Sequence, residues 1–411
     1  MTVEAAGPDA TDNPTRRRLR VLVLARSYPN DIFPTLGLWT EQPTIRLANR
    51  CEMRVVSPVP WCPPLPAAGR FEQYARFRRV PKQDRRHGIE IAHPRFVTGP
   101  GRTTYALEAH AYGVGIARTV GRIHASFPFD LVHAHFIYPE GVAAHRIARR
   151  YGVPFVVTEH APWTGWLSRL GVARQAVPAA RAAAAIMPVS NSVLATIRTY
   201  AGDEVRATVV PVGVDADLFV PGDEGATRKD QILYVGLINF NKGIDILLDA
   251  IARLAAQGSP GRLLLVGGSF YRNTRLQEER LRAQAAALGL GERVTFLGRL
   301  LPAEVARLMA ESAVVVLPSR AESFGAVLVE ALACGTPVVA TRCGGPEDIV
   351  LDGVGELVPI GDVLALADAL SRALADPGRY DRARLRRYAL ERFGWDSIVD
   401  RVHDVYLEAV R

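Results

Sequence analysis

The sequence predicts an α/β protein built as two doubly wound, Rossmann-like domains facing each other across a cleft. Three features carry this expectation. At 411 residues the chain exceeds what one hydrophobic core usually supports, so two domains of about 200 residues are the default. Short, unbroken apolar runs bounded by turn residues recur in both halves, as parallel strands buried on both faces require. Helical patterns separate many of these runs, and that alternation describes a parallel sheet covered by helices.

Taken in order, the first apolar run, residues 21–25, follows a polar tail and the basic cluster at residues 16–20. Further strands are expected at residues 53–56, 131–134, 155–158, 185–188 and 208–211. The second half restarts the same grammar, with strands at 231–235, 262–266, 293–297, 313–317 and 337–340 and helices such as 246–257 and 276–288 between them. Gly, Pro and Asp cluster at residues 212–222 and mark the boundary. The expected division is a disordered tail at 1–15, a first domain at 16–212 and a second at 213–392, with a last helix at 393–411 packing back on the first domain. The cleft between the domains is the expected active site.

Composition narrows the function classes. An apolar fraction of 48% and a charged fraction of 22% fit an ordinary globular protein and exclude collagen-like, coiled-coil or disordered chains. No run of about 18 uncharged apolar residues occurs; Arg181 interrupts the best candidate, the alanine-rich stretch at 176–187. The first residues lack the basic start and apolar centre of a secretory signal, so the expected location is the cytoplasm, with association at the inner face of the membrane left open. Cys51, Cys62, Cys334 and Cys343 are too few for a disulfide framework and form no C-x-x-C pair, which leaves structural thiols. The net charge of +8 implies an anionic partner without choosing one. The arginine-dense stretch at 69–88, interleaved with Phe71, Tyr74 and Phe77, reads equally as a solvated loop or as a contact to anionic lipid headgroups.

The most informative segment runs from Pro318 through Glu322, Ser323, Phe324 and Gly325 to Glu330. A strand ends before it and a helix opens near Phe324 and Gly325, so free N–H groups and the positive end of a helix dipole are offered to an anion, for which a diphosphate is the natural occupant. Glu322 precedes this helix and Glu330 lies about two turns into it, so both can face one pocket. Carboxylates beside a phosphate site make sense as acceptors for neutral hydroxyls of a sugar and a ribose.

The order E-S-F-G, then V-E-A-L-A-C-G-T-P-V-V-A-T, with seven residues between Glu322 and Glu330, resembles the signature of family 4 glycosyltransferases. The resemblance implies the GT-B fold and transfer of a hexosyl-type sugar from a nucleotide diphosphate sugar, a UDP- or GDP-sugar, with retention of anomeric configuration. It implies that Glu322 contacts the donor sugar and Glu330 the ribose hydroxyls. Gly236 and Lys242 resemble the loop after the first strand of the second domain, where the lysine meets the diphosphate; the family's usual arginine after that first glycine is Leu237 here. Gly298 and Arg299 resemble the loop bracketing the base. Gly37, in the loop after residues 27–34, resembles the glycine that lets backbone approach the donor phosphate or the acceptor. That loop does not match G-x-G-x-x-G, which counts against a dehydrogenase.

Thr158, Glu159 and His160 end a predicted strand at the edge where open α/β sheets bind ligands. By resemblance His160 stands beside the reacting sugar, either donating to a sugar hydroxyl or lending its backbone carbonyl. His133 and His135 follow another strand; they are expected to point to opposite sides of the sheet, which would keep them from chelating a metal together, with His135 an acceptor-site candidate and His133 structural. Trp163 and Trp166 read equally as rings stacked on an acceptor sugar, as rings dipping into a membrane or as packing within the domain. Lys242 and helix termini suffice to neutralise a diphosphate, so no metal cofactor is expected. The expected acceptor is a glycan, a lipid-linked precursor or a small molecule, with polysaccharide biosynthesis favoured by resemblance. A sugar-nucleotide epimerase or a phosphorylase of the same fold is the second reading. A nucleic-acid-binding protein is the third, resting on charge alone.

Overall fold

The computed structural model describes residues 17–61, 72–98, 105–165, 167, 170–223, 228–268, 272–376 and 378–411; the expected tail at 1–15, Cys62, Phe71 and Trp166 lie outside them. The first sheet contains β1 (Arg20–Leu24), β2 (Glu52–Val56), β4 (Gln83–Arg86), β5 (Ile89–Ala92), β7 (Leu131–His135), β8 (Phe155–Glu159) and β9 (Ala185–Pro188), in the order β4-β5-β2-β1-β7-β8-β9. Two short strands, β3 (Val59–Pro60) and β6 (Arg95–Phe96), pair separately. The second sheet contains β10 (Arg228–Val235), β11 (Arg262–Val266), β12 (Val294–Gly298), β13 (Ser312–Leu317), β14 (Val338–Thr341) and β15 (Gly355–Val358), all parallel, in the order β12-β11-β10-β13-β14-β15. Central strands such as β13 are buried at every residue, as their unbroken Val/Leu runs dictate.

The helices that matter below are α1 (Leu38–Leu47), α2 (Glu72–Phe77), α3 (Glu108–Ser126), α4 (Val142–Tyr151), α5 (Leu170–Ala182) and α6 (Asn191–Ala201) in the first half. The second half has α7 (Ile244–Ala256), α8 (Arg272–Ala287), α9 (Pro302–Glu311), α10 (Ala326–Ala333), α11 (Pro346–Ile349), α12 (Val363–Ala375), α13 (Arg382–Phe393) and α14 (Trp395–Ala409). One face of the first sheet, with Val21, Val23, Val55 and Val156, packs against Trp395, Ile398, Val402 and Tyr406 of α14. None of the helices described is long and apolar enough to cross a membrane.

The elements depart from the sequence expectation at two edges of the first sheet. Part of the arginine-rich stretch folds as α2, β4 and an antiparallel pairing of β4 with β5, turned by His87 and Gly88, both at positive φ. β4 is a charged edge strand, Gln-Asp-Arg-Arg, which has no apolar periodicity to read and which keeps a sheet edge from pairing with other chains. At the other edge, residues 208–211 form no strand: Thr208 and Val210 donate to the carbonyls of Ile186 and Pro188 at 3.0 Å without extending into a full ladder. β15 also escaped the reading; its Gly-Glu-Leu-Val sequence is too short and polar to announce a strand.

The two halves are joined by specific bonds as well as by apolar packing. Ser190 accepts the N–H of Val193 as the cap of α6 and donates its own hydroxyl to the Ser323 carbonyl at 2.6 Å. Beside it, the Asn191 backbone and side-chain amides donate to the Asp348 carboxylate at 2.6 and 3.0 Å.

Candidate active site

In the second half the site is assembled by loops at the carboxyl ends of neighbouring strands. β13 runs into the turn from Pro318 to Gly325, and Gly325, at φ 100°, opens α10 from a left-handed conformation that a side chain would strain. The turn is held against the loop after β10. Gly243 lies so close to Pro318 that an added Cβ would sit 2.0 Å from the Pro318 carbonyl oxygen. Arg320 adds a clamp that sequence reading missed: its guanidinium donates in bidentate fashion to Asp245 at 2.8 and 2.7 Å, donates to the Phe240 carbonyl at 2.8 Å and lies over the Phe240 ring. The pairing holds the Asp245 carboxyl below its ordinary range.

This clamp brings Lys242 and Glu322 together from positions 80 residues apart, and Lys242 Nζ donates to Glu322 Oε2. Both side chains are mostly covered, with 19% and 16% exposed, and Ser319 Oγ donates to the same carboxylate oxygen at 3.4 Å. Ser323 offers its carbonyl to Ser190, and the Phe324 side chain packs into the core, 4% exposed, against Phe393, with its backbone close against Gly345.

Glycines build the floor beside this pair. An added Cβ at Gly267, φ 140°, would lie 1.8 Å from the Gly236 carbonyl oxygen, and the Gly267 N–H donates to the Gly298 carbonyl at 2.7 Å. One residue on, Gly268 is covered by the Arg299 stem, with 3.1 Å from an added Cβ to Arg299 Cγ. Gly236, Gly267, Gly268, Gly298 and Arg299 therefore form one packed unit at the ends of β10, β11 and β12. Leu237 beside it is 44% exposed, and its carbonyl accepts from the Tyr234 hydroxyl at 2.8 Å. Glu330 lies in the second turn of α10, half-buried, with no hydrogen-bond partner for its carboxylate among the described residues, and desolvation pushes it up to about 7.

In the first half, Gly37, at φ 79°, begins α1 and stacks on the loop after β1, where an added Cβ would sit 2.1 Å from the Ser27 carbonyl oxygen. His133 and His135 do not diverge as expected. Residues two apart on a strand share a face, and their rings lie 4.4 Å apart. His133 bonds the Tyr406 hydroxyl through Nδ1 at 2.7 Å and Thr158 Oγ1 through Nε2 at 2.8 Å. His135 Nδ1 lies 2.9 Å from His160 Nε2, the rings stacked, so one imidazole donates and the other accepts. Burial pushes His133 and His160 down to about 3 and lowers His135 as well, with neighbouring rings adding to the effect on His135, so all three are neutral near pH 7. His135 is 2% exposed and touches His160 rather than open space, which makes it a partner of His160 instead of an acceptor contact.

Of the roles open to Trp163 the structure selects packing: it is 1% exposed, and its indole N–H donates to the buried Glu159 carboxylate at 3.0 Å. Asp215-Ala216-Asp217 has the D-x-D spacing of metal-using glycosyltransferases. Asp215 instead pairs with Arg46 at 3.0 Å and accepts the N–H groups of Asp217 and Leu218. Among the described residues no three His, Cys, Asp or Glu side chains are grouped to hold a metal ion.

The lowered histidines carry a linkage consequence. Between pH about 6.5 and about 3 the unfolded chain binds protons at these rings that the folded chain refuses, so stability falls as pH falls through that window. His133→Asn removes one such group, and the slope of unfolding free energy against pH between about 4.5 and 6 should flatten by up to about 1.4 kcal/mol per pH unit. Urea denaturation at several pH values checks this; an unchanged slope contradicts the burial of a neutral ring.

The model of the family described as Glycosyltransferase Family 4 matches residues 46–218, and that described as Glycosyl transferases group 1 matches residues 221–392. A D-inositol 3-phosphate glycosyltransferase of Xylanimonas cellulosilytica is 36% identical over 311 residues, covering 69% of this chain and 73% of that protein. The protein of the same name from Mycolicibacterium paratuberculosis is 33% identical over 340 residues, covering 77% and 76%. Among solved structures, the sucrose-phosphate synthase of Thermosynechococcus elongatus superposes with a TM-score of 0.77 at 21% identity, over 95% of this chain and 99% of that one. Anabaena Alr3699/HepE in complex with UDP-glucose superposes with a TM-score of 0.71 at 22% identity, over 94% and 99%.

Proposed function

Because the chain belongs to the family 4 glycosyltransferases, with the GT-B fold, we propose that it moves a hexosyl sugar from a nucleotide diphosphate sugar to a hydroxyl acceptor with retention of anomeric configuration. The observation that carries this reading is the meeting of Lys242 and Glu322 beside Gly325, at the N-terminus of α10. As the glycosidic bond to the donor breaks, negative charge grows on the leaving diphosphate. Lys242 and the free N–H groups of α10 are placed to stabilise it. Glu322 accepts from donor-sugar hydroxyls and Glu330 from the ribose. Arg299, held over Gly268, supplies a guanidinium stem to the loop cluster where Leu237 replaces the usual arginine. In this reading the sugar is also met by His160 of the first domain, a neutral ring bonded to His135. The acceptor oxygen attacks on the face from which the diphosphate departs, and a phosphate oxygen takes its proton. An inverted anomeric centre in the product, seen by NMR, would contradict this.

The donor test is a thermal-shift panel of UDP, GDP, ADP and their common sugar conjugates on wild type and Glu330→Ala. A ligand at about a hundred times its dissociation constant adds roughly 2.7 kcal/mol. One nucleotide should stabilise the wild type and clearly less the variant; stabilisation by none overturns the donor site. UDP leads the panel because Alr3699/HepE was solved with UDP-glucose. Without donor, Glu330→Gln should raise the midpoint at pH 8, since above about 7 the desolvated, half-buried carboxylate is charged and unpartnered in the folded protein. A fall in the midpoint contradicts that.

With Lys242 and the α10 N-terminus neutralising the diphosphate, transfer needs no metal. Activity should persist in a chelator; loss restored by magnesium or manganese would refute it. For the acceptor, a lipid-linked or cell-surface glycan precursor is one reading, which would bring the enzyme to the inner face of the membrane. The names of the curated relatives favour a second, a small phosphorylated polyol. Mass spectrometry of products from a panel containing myo-inositol 3-phosphate and lipid-linked sugars separates the two.

A further inference from the structure

Glu159, the last residue of β8, has no exposed surface, and the partners of its carboxylate are N–H groups rather than cations. Oε2 accepts from the backbone of Ile137 and from the Trp163 indole, each at 3.0 Å, and Oε1 accepts from the backbone of Ala161 at 3.2 Å. A buried carboxylate is costly, and packing alone would be served by an apolar side chain. What the carboxylate supplies is acceptor capacity on both of its oxygens. Its three donors come from two segments: Ile137 from the one that follows β7, Ala161 and Trp163 from the one that follows β8. Trp163 is tied onward, its backbone N–H donating to Thr196 Oγ1 of α6 at 2.9 Å.

His160 stands where these segments meet. In the chain it lies between Glu159 and Ala161, the anchor and one of the anchored groups. Its ring stacks on His135 and lies 5.1 Å from the ring of Phe136, the neighbour of Ile137. Phe136 is held at φ 74° and ψ 143°, backbone that a residue with a bulky side chain avoids. Bonds on both sides fix it there. The Phe136 N–H donates to the Thr158 carbonyl at 2.8 Å, the Gly141 N–H to the Phe136 carbonyl at 3.0 Å, and the next N–H along the chain, that of Ile137, to Glu159. One carboxylate therefore fixes the backbone that follows His160 and the segment that presses a ring against it.

We propose that Glu159 is a positioning residue for sugar transfer: it touches no substrate and acts through His160, fixing the backbone at Ala161 and backing the His160 ring through Ile137 and Phe136. This rests on the glycosyltransferase reading above and extends it to a residue with no exposed surface.

The test is Glu159→Gln in the full chain. The amide matches the carboxylate in size but accepts on one oxygen only. With that oxygen kept on Ile137 and Trp163, the NH2 faces the Ala161 N–H, donor against donor, so the tie beside His160 is the one that breaks. Transfer is measured with the donor and acceptor that the panels above identify, beginning with UDP-glucose and myo-inositol 3-phosphate. The variant should lose at least about tenfold in kcat while KM for the donor stays within about twofold, because the second half holds the diphosphate. In a His160→Ala background the same substitution should cost nothing further, since a residue that acts through another has no effect once that one is gone. In NMR spectra the imidazole signals of His160, assigned with His160→Ala, should move, while those of His133 and the Trp163 indole N–H stay in place. A kcat within threefold of wild type, losses that add to those of His160→Ala, unmoved His160 signals or a displaced Trp163 indole overturns the proposal. Should Glu159→Gln fail to fold, Trp163→Phe removes one of the three donors and should lower kcat by the same route; a loss that survives in His160→Ala overturns the proposal as well. If the wild type transfers no sugar at all, the glycosyltransferase reading falls, and the imidazole signals still decide whether Glu159 positions His160.

Discussion

Lys242→Ala should lower kcat for glycosyl transfer by about 10²- to 10³-fold, the loss typical when one preorganised group facing developing charge is removed. The lysine is mostly covered, so its attraction for a leaving diphosphate is little screened. Its removal also strands Glu322, which Lys242 neutralises in the free protein, beside the incoming phosphates. The variant therefore combines lost attraction with new repulsion, and KM for the donor should rise along with the fall in kcat. Lys242→Arg keeps the charge and should recover part of the rate. Steady-state kinetics at saturating acceptor read both parameters; a kcat within threefold of wild type would remove Lys242 from the mechanism.

Gly267→Ala should cost about 3–5 kcal/mol of stability and abolish donor binding. Two penalties add: φ of 140° is a region that side chains avoid, and the new Cβ would lie 1.8 Å from the Gly236 carbonyl oxygen, inside any van der Waals contact. Relief requires the ends of β10 and β11 to separate, which dismantles the floor that Gly236 and Gly298 share. Gly298→Ala is the control. Its φ is 71°, but nothing lies within 4 Å of an added Cβ, so the cost should stay near 1 kcal/mol. Urea denaturation measures the pair, and equal costs would show that backbone conformation alone, not the close approach, decides.

The apolar core strands and the Glu322 to Glu330 segment were legible because each rests on a local pattern: an unbroken Val/Leu run, or chemistry-bearing residues at fixed spacing around a helix start. What escaped depends on long-range or edge geometry. The charged strand β4 has no core face to announce it. Gly267 and Gly268 belong to no motif until β10 and β12 close around them, and Arg320 reads as a surface residue until Asp245, 75 residues earlier, meets it. The pairing of His133 with Tyr406 spans 273 residues. The misplacement of His133 and His135 is of another kind, since strand periodicity alone puts residues two apart on one face. The sequence around Trp163 fits sugar stacking, membrane contact and packing alike, and the buried Glu159 carboxylate assigns it to packing.

The contribution of α14 to the first domain also bears on how the protein is made. Val21, Val55 and Val156 present an apolar sheet face that residues 395–406 cover, yet a ribosome completes β9 long before it reaches α14. At about 5–20 residues per second, the intervening chain takes on the order of 10–40 s to synthesise. For that interval the nascent first domain carries a bare hydrophobic surface, and Tyr406 has not arrived to fix His133. Domain-by-domain maturation during translation is therefore blocked at the last step, and the nascent chain is a natural client for chaperones that shield apolar surface until α14 emerges.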